Sequence, residues 1–202
     1  MRRFIDTPLA TAKKLTLTDE NYNYIARVLR KREGDIVTLF NGTGGEYSAE
    51  ITAITRREVI VNIGKFTPEN RESSLNIHLF QSLAKGEKME LVLQKSTELG
   101  IASITPVITE RSVMHLKRNQ LEKRLERWHN IILSACEQSG LNLPPILNSP
   151  IKLEEITPPK DVEDCKIPLL TLAPTADKTL GKTILEEFPN QKSFALIIGP
   201  EG

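Results

Sequence analysis

The order of hydrophobic patterns predicts an α/β protein in two parts, a small antiparallel β unit followed by a larger domain in which strands and helices alternate. Two observations carry this expectation. From Ile36 the chain reads DIVTLF, NGTGGE, YSAEITAI, TRRE, VIVNI, with apolar residues at period two and Val59, Val61 and Ile63 on one face. Beyond the polar, proline-containing stretch KFTPENRESS, strand-like and helix-like segments follow each other in turn, which is the pattern of a mostly parallel sheet covered by helices. The stretch is the linker candidate, so the expected parts are residues 1–72 and 73–202.

The first part opens with RRF and then TDENYNYIARVLRKREG, a predicted helix. Thr18 is placed to cap it, Tyr22, Ile25, Ala26 and Leu29 form its apolar stripe, and Gly34 follows its end. NGTGG at 41–45 lies between two alternating strands and reads as a hairpin turn, not a phosphate loop. In the second part NIHLFQSL is a predicted strand, and EKMELVLQKSTELG a helix with Met89, Val92, Ser96 and Leu99 on one face and Gly100 as its stop. IASITPVI is a strand, and a long helix follows, capped by Asn119, striped by Leu121, Leu125, Trp128, Ile132 and Ala135, and ended by Gly140. IPLLTLAP, TLGKTILEEF and SFALII complete the series as strand, helix and strand.

Composition narrows the class. The chain has 202 residues, 39% hydrophobic and 26% charged, with a net charge of +1, which suits a globular protein and neither a disordered nor a fibrous one. MRRFIDTPLATAKK is broken by Asp6, Thr7 and Pro8 and does not read as a signal peptide, and no apolar run approaches membrane-spanning length. Cys136 and Cys165 offer neither a disulfide framework nor metal-ligand spacing, so a reducing, cytoplasmic setting and no metal are expected. The charge is uneven: residues 111–149 hold six Lys or Arg against three Glu, and residues 150–202 six Lys against nine acids. Arg27, Arg30, Lys31 and Arg32 form another basic cluster, and Arg2 and Arg3 a third. Such patches permit phosphate contacts without requiring a basic protein.

Ligands of open parallel sheets bind where loops leave the carboxyl ends of strands. Two loops qualify, Ala173-Pro174 after LLTL and Gly199-Pro200-Glu201-Gly202 after ALII. In the second, the glycines let a ligand approach the main chain, Pro200 stiffens the loop and Glu201 brings a carboxylate to its mouth.

RRF, VLRKREGD with FNGTGGEY, FQSLAKGEKMELVLQKSTELG, ITPVITERS, RWHNIILSACEQSG and IIGPEG, taken in this order over essentially the whole chain, resemble the SPOUT-class methyltransferases that modify N3 of a uridine in 16S ribosomal RNA. The resemblance implies an N-terminal PUA-like β-barrel that binds RNA and a C-terminal SPOUT α/β domain with a trefoil knot. It also implies S-adenosylmethionine as methyl donor, a homodimer, and 16S rRNA within the small ribosomal subunit as substrate. In the family the loop continues as GPEGG into further helix, strand and helix that close the cofactor pocket, so the knot is expected to be incomplete in these 202 residues. Carried over residue by residue, Leu170, Leu172 and Ala173 form one wall of the cofactor pocket, and Ile198, Gly199, Pro200, Glu201 and Gly202 another. Glu201 or Glu137 would accept the uridine N3 proton and Arg111 stabilise the resulting anion, because N3 becomes nucleophilic only as that proton leaves. Arg2, Arg3, Arg27, Arg30, Arg32, Arg111, Ser112 and Gln138 would contact RNA. Leu141 stands where the family usually has arginine, which removes one expected contact. A SPOUT enzyme for another base, or an RNA-binding protein without catalysis, would share much of this pattern.

Overall fold

Alternation at period two builds the first unit. It appears in a computed structural model that describes residues 1–69, 71–110, 118–157, 159, 167–173 and 175–199. The chain divides into two units, Met1–Glu72 with Cys136–Leu143, and Ser73–Ala135 with Pro144–Gly202. In the first, strands β1 (Arg2–Phe4), β2 (Lys14–Leu17), β3 (Ile36–Phe40), β4 (Glu46–Ile54) and β5 (Val59–Thr67) form one sheet in the order β1-β3-β4-β5-β2. Val37, Leu39, Ala49, Ile51, Val59 and Val61 point inward and bury completely against Leu9, Leu17 and Ile25. The pairings are antiparallel except that β1 runs parallel to β3, Arg2 opposite Thr38 and Phe4 opposite Phe40. Strands β1 and β2 are too short for alternation to register in the sequence. NGTGG does join β3 to β4, with Gly42, Gly44 and Gly45 at positive φ. A Cβ on Gly45 would stand 2.5 Å from the Phe66 ring and 2.6 Å from the Thr67 carbonyl.

The early helix differs from its expected form. α1 covers only Asp19–Tyr22 and passes into a π-helical stretch, Asn23–Val28, where Leu29 N donates to the Tyr24 carbonyl. The wider turn rotates the stripe, so Ile25 buries but Leu29 emerges, and Arg30 at φ 50° ends the helix before Gly34. Thr18 does not cap the backbone; its hydroxyl bonds the Asp19 carboxylate.

The second unit is a parallel sheet in the order β10-β11-β6-β7-β8, with β9 also paired to β7. Its strands are β6 (Asn76–Ser82), β7 (Ser103–Ile108), β8 (Ile146–Leu147), β9 (Ile151–Lys152), β10 (Leu169–Leu172) and β11 (Ser193–Ile198). All described pairings are parallel. Helix α2 (Glu87–Glu98) buries Met89, Leu93 and Thr97, a strict i, i+4 row, and leaves Leu99 83% exposed where the sequence placed it on the inner face. Gly100, at φ 79°, donates to the Thr97 carbonyl and Ile101 to that of Ser96, a Schellman stop. Helix α3 (Arg118–Ser139) already includes Asn119, which is therefore not its cap. Trp128, Ile132, Ala135 and Cys136 are buried, and the last turn, from Cys136, belongs to the first unit. Helix α4 (Leu180–Glu187) starts at Thr179, whose hydroxyl accepts from Lys182 N.

Candidate functional site

The register of the parallel sheet brings the two predicted loops together. Leu172 pairs with Ile198, so Ala173 and Gly199 leave from the carboxyl ends of adjacent strands. Leu170, Leu172 and Ala173 lie in the wall of a cleft of about 630 Å³ that continues over Thr179 and Thr183 of the α4 start. That volume is within the roughly 300–1,000 Å³ usual for small-molecule clefts. The backbone of Gly199 is exposed, and a Cβ there would meet open space, so the main chain can be approached directly. Pro200, Glu201 and Gly202, predicted for the same site, lie outside the described residues. The next strand adds two residues that sequence reasoning missed. Gln81, opposite Ile198, and Ser82 are both buried, and Gln81 Nε2 donates to the Ser82 carbonyl at 3.1 Å. Their signal was available: a Gln-Ser pair ending the strand directly after the apolar Leu79-Phe80.

Glu137, a predicted proton acceptor, is in the first unit and already engaged. One carboxylate oxygen takes Arg3 Nη1 at 2.7 Å, the other the Phe4 amide at 2.9 Å. Burial raises its pKa, and the Phe4 amide and Arg3 work against that rise. Arg3 also donates Nε to Asn21 at 2.8 Å and lies over the Tyr24 ring. Arg2 pairs with Glu46 and Asn142, donates to the Leu141 carbonyl at 3.1 Å and covers the Phe40 ring. The side chains of Arg2 and Arg3 are 14% and 11% exposed, so the two predicted RNA contacts are committed to protein acceptors. Leu141, which stands where the family usually has arginine, is buried. Cys136, also buried, has its thiol pushed up to about 12 by burial, with Glu72 adding to the effect.

The remaining predicted RNA contacts are distributed. Arg27, Arg30 and Arg32 are exposed around the end of the π-helical stretch, Arg27 resting over Tyr22 at 5.5 Å, and Gln138 is exposed on the last turn of α3. Arg111 and Ser112 lie outside the described residues. Among the described residues no three His, Cys, Asp or Glu side chains gather as a metal site, and no helix is long and apolar enough to cross a membrane.

Comparison with known proteins agrees with this architecture. Residues 71–202 match the RNA methyltransferase domain, and residues 17–64 the RNA methyltransferase PUA domain. The chain belongs to the RNA methyltransferase domain family. It is similar to the ribosomal RNA small subunit methyltransferase E of Buchnera aphidicola from Acyrthosiphon pisum, 35% identical over 152 residues, which are 75% of this chain and 60% of that protein. The matched region thus spans less than two thirds of that relative. A Legionella pneumophila protein solved with bound cofactor SAM has a TM-score of 0.85 and 37% identity, covering 100% of this chain and 80% of that one. The ribosomal RNA small subunit methyltransferase E of Neisseria gonorrhoeae, solved bound to S-adenosyl methionine, has a TM-score of 0.82 and 31% identity, covering 98% and 79%. Within the family, the first unit corresponds to an N-terminal PUA domain and the parallel sheet to a SPOUT-like domain.

Proposed function

We propose that this chain carries out S-adenosylmethionine-dependent methylation of N3 of a uridine in 16S ribosomal RNA. The observation that carries the reading is the pairing of Leu172 with Ile198, which sets Gly199 beside Ala173, a residue in the wall of an apolar cleft. The residues fit the cofactor: Leu170 and Leu172 offer apolar contact for adenine, Thr179 and Thr183 offer hydroxyls, and Gly199 leaves its main chain open. When bound, the cofactor supplies an electrophilic methyl group on a sulfonium. The work left to the chain is to orient the uridine and take up its N3 proton. Both Glu137 oxygens already accept from Arg3 and Phe4, which favours Glu201 as the acceptor and makes Glu137 a positioning residue. Arg111 is the proposed partner of the uridine anion.

Arg27, Arg30 and Arg32, with Gln138 and Ser112, are the proposed RNA contacts. A homodimer, a trefoil knot, the small ribosomal subunit as substrate and a cytoplasmic location belong to the same proposal. Of the α3 stripe that suggested a dimer, Trp128, Ile132 and Ala135 are buried within the single chain while Leu121 and Leu125 are half-buried; exposed Leu91, Leu99 and Ile146 in the second unit add to the support. The test is transfer of labelled methyl from S-adenosylmethionine to unmodified small ribosomal subunits, followed by mapping of the product. N3-methyluridine is expected at one site; label on another base, or none, would overturn the reading. Light scattering that found only monomer at micromolar concentration would remove the dimer.

A further inference from the structure

A second cleft in the parallel-sheet unit shares no lining residue with the first. It has a volume of about 340 Å³ and is bounded by Gly86 and Glu90 at the start of α2 and by Lys123, Arg124, Arg127 and Trp128 of α3. The spacing of these α3 residues, i, i+1, i+4 and i+5, puts them on one helical face. Trp128 is buried and anchors that face, Arg124 lies 5.9 Å above its ring, and Arg127 bonds Glu90 at 2.8 Å. Lys123 is exposed. Among the described residues, Lys123, Arg124 and Arg127 line the cleft together with Glu90, the ion-pair partner of Arg127. The α2 start adds to the positive side: Gly86 provides no side-chain cap, although Glu87 and Glu90 in the first turn offset part of the helix dipole.

We infer that this cleft binds backbone phosphate of the RNA substrate, through Lys123 and Arg127 with Arg124 held between them by Trp128. The inference rests on the proposed RNA methyltransferase function and extends its RNA surface to α3. Lys123 and Arg127 are four residues, or about 6 Å of helix, apart. That is on the order of the separation of neighbouring phosphates along one strand, so a nucleic-acid backbone matches the row better than a single anion does. Arg124 lies against Trp128, leaving phosphate contact and not base stacking as the chemistry of this face.

The test is RNA binding by fluorescence anisotropy over a salt series, using a small-subunit rRNA fragment and the whole chain. Lys123→Ala and Lys123→Glu are the variants, because the exposed side chain can change without disturbing the core. For Lys123→Ala the slope of log K against log salt is expected to fall by roughly 0.7 to 0.9, one phosphate contact, with Lys123→Glu losing more affinity. Melting temperature and S-adenosylmethionine affinity should stay at wild-type values. Wild-type protein that binds RNA, with both variants unchanged, overturns this inference and leaves the proposed function standing. Wild-type protein that binds no RNA overturns both. Inorganic phosphate is expected to compete no better than chloride at matched ionic strength. Stronger competition, with unchanged RNA slopes in the variants, would assign the cleft to a free anion and overturn the proposal.

Discussion

In the first unit the arginines of β1 are buried against acceptors drawn from far along the chain, whereas in the second the cations of α3 stand on an open face beside a tryptophan. Both groups look alike in the sequence, as short runs of positive charge. What separates them is where the carboxylate sits: Glu46 and Glu137 hold Arg2 and Arg3 inside the fold, whereas Glu90 holds Arg127 at the surface and Lys123 faces solvent. A basic run is therefore evidence of a phosphate surface only after its intramolecular acceptors are known.

The contrast can be broken most forcefully at Glu137. Glu137→Ala strands the Arg3 guanidinium in a buried site, and a loss of about 3 to 5 kcal/mol in urea unfolding is expected. Glu137→Gln, which keeps the shape, should cost less. Full stability in the alanine variant would mean that the buried pair of the first unit is no more consequential than the exposed pair Arg127–Glu90. Next in size is Leu141→Arg. The side chain is buried beside the Arg2 contact, so a new cation there should cost about 2 kcal/mol, and RNA affinity should not improve. Tighter RNA binding with an unchanged melting temperature would place that side chain on the surface after all.

The other predictions sharpen the second unit. Leu170→Ala removes part of the apolar cleft wall, and calorimetry should find S-adenosylmethionine binding weakened about tenfold, the equivalent of roughly 1.4 kcal/mol. Unchanged affinity would move the cofactor elsewhere. The smallest effect is on pH dependence. Burial holds His78 below its ordinary 6.5, with its Nδ1 2.7 Å from the Ser103 hydroxyl. The unfolded state then binds more protons than the folded one, so the contribution is intact above the ordinary value of 6.5 and is lost as pH falls below it through the lower folded value. Urea midpoints followed downward from about pH 7.5 should decline more steeply in wild type than in His78→Asn.

Fold class was the most legible property, because period-two runs before residue 67 and alternating strand and helix patterns after residue 75 are properties of neighbouring residues. Register was not legible: that Leu172 faces Ile198 depends on how two segments some 26 residues apart align, and no local pattern states it. The two loops of the proposed cofactor cleft were read as separate strand ends, while Gln81 and Ser82 were passed over because polar residues at the end of a strand look like exceptions until the sheet places them. The early helix failed for a different reason. Its stripe fits an α-helix, and one π turn suffices to turn Leu29 outward. Glu137 was found as a residue, but its partner Arg3 is 134 positions away, beyond any spacing rule.

That separation has a consequence for the time at which the first unit can finish folding. Translation adds about 5 to 20 residues each second, so Arg3 waits on the order of ten seconds between leaving the peptidyl transferase centre and the addition of Glu137. During that interval β3, β4 and β5 can pair and Glu46 can reach Arg2, but Arg3 lacks Glu137 and Arg2 lacks Asn142. The β1 edge of the nascent unit thus gains its last polar partners only after α3 has been made, and a segment released at residue 72 would lack them.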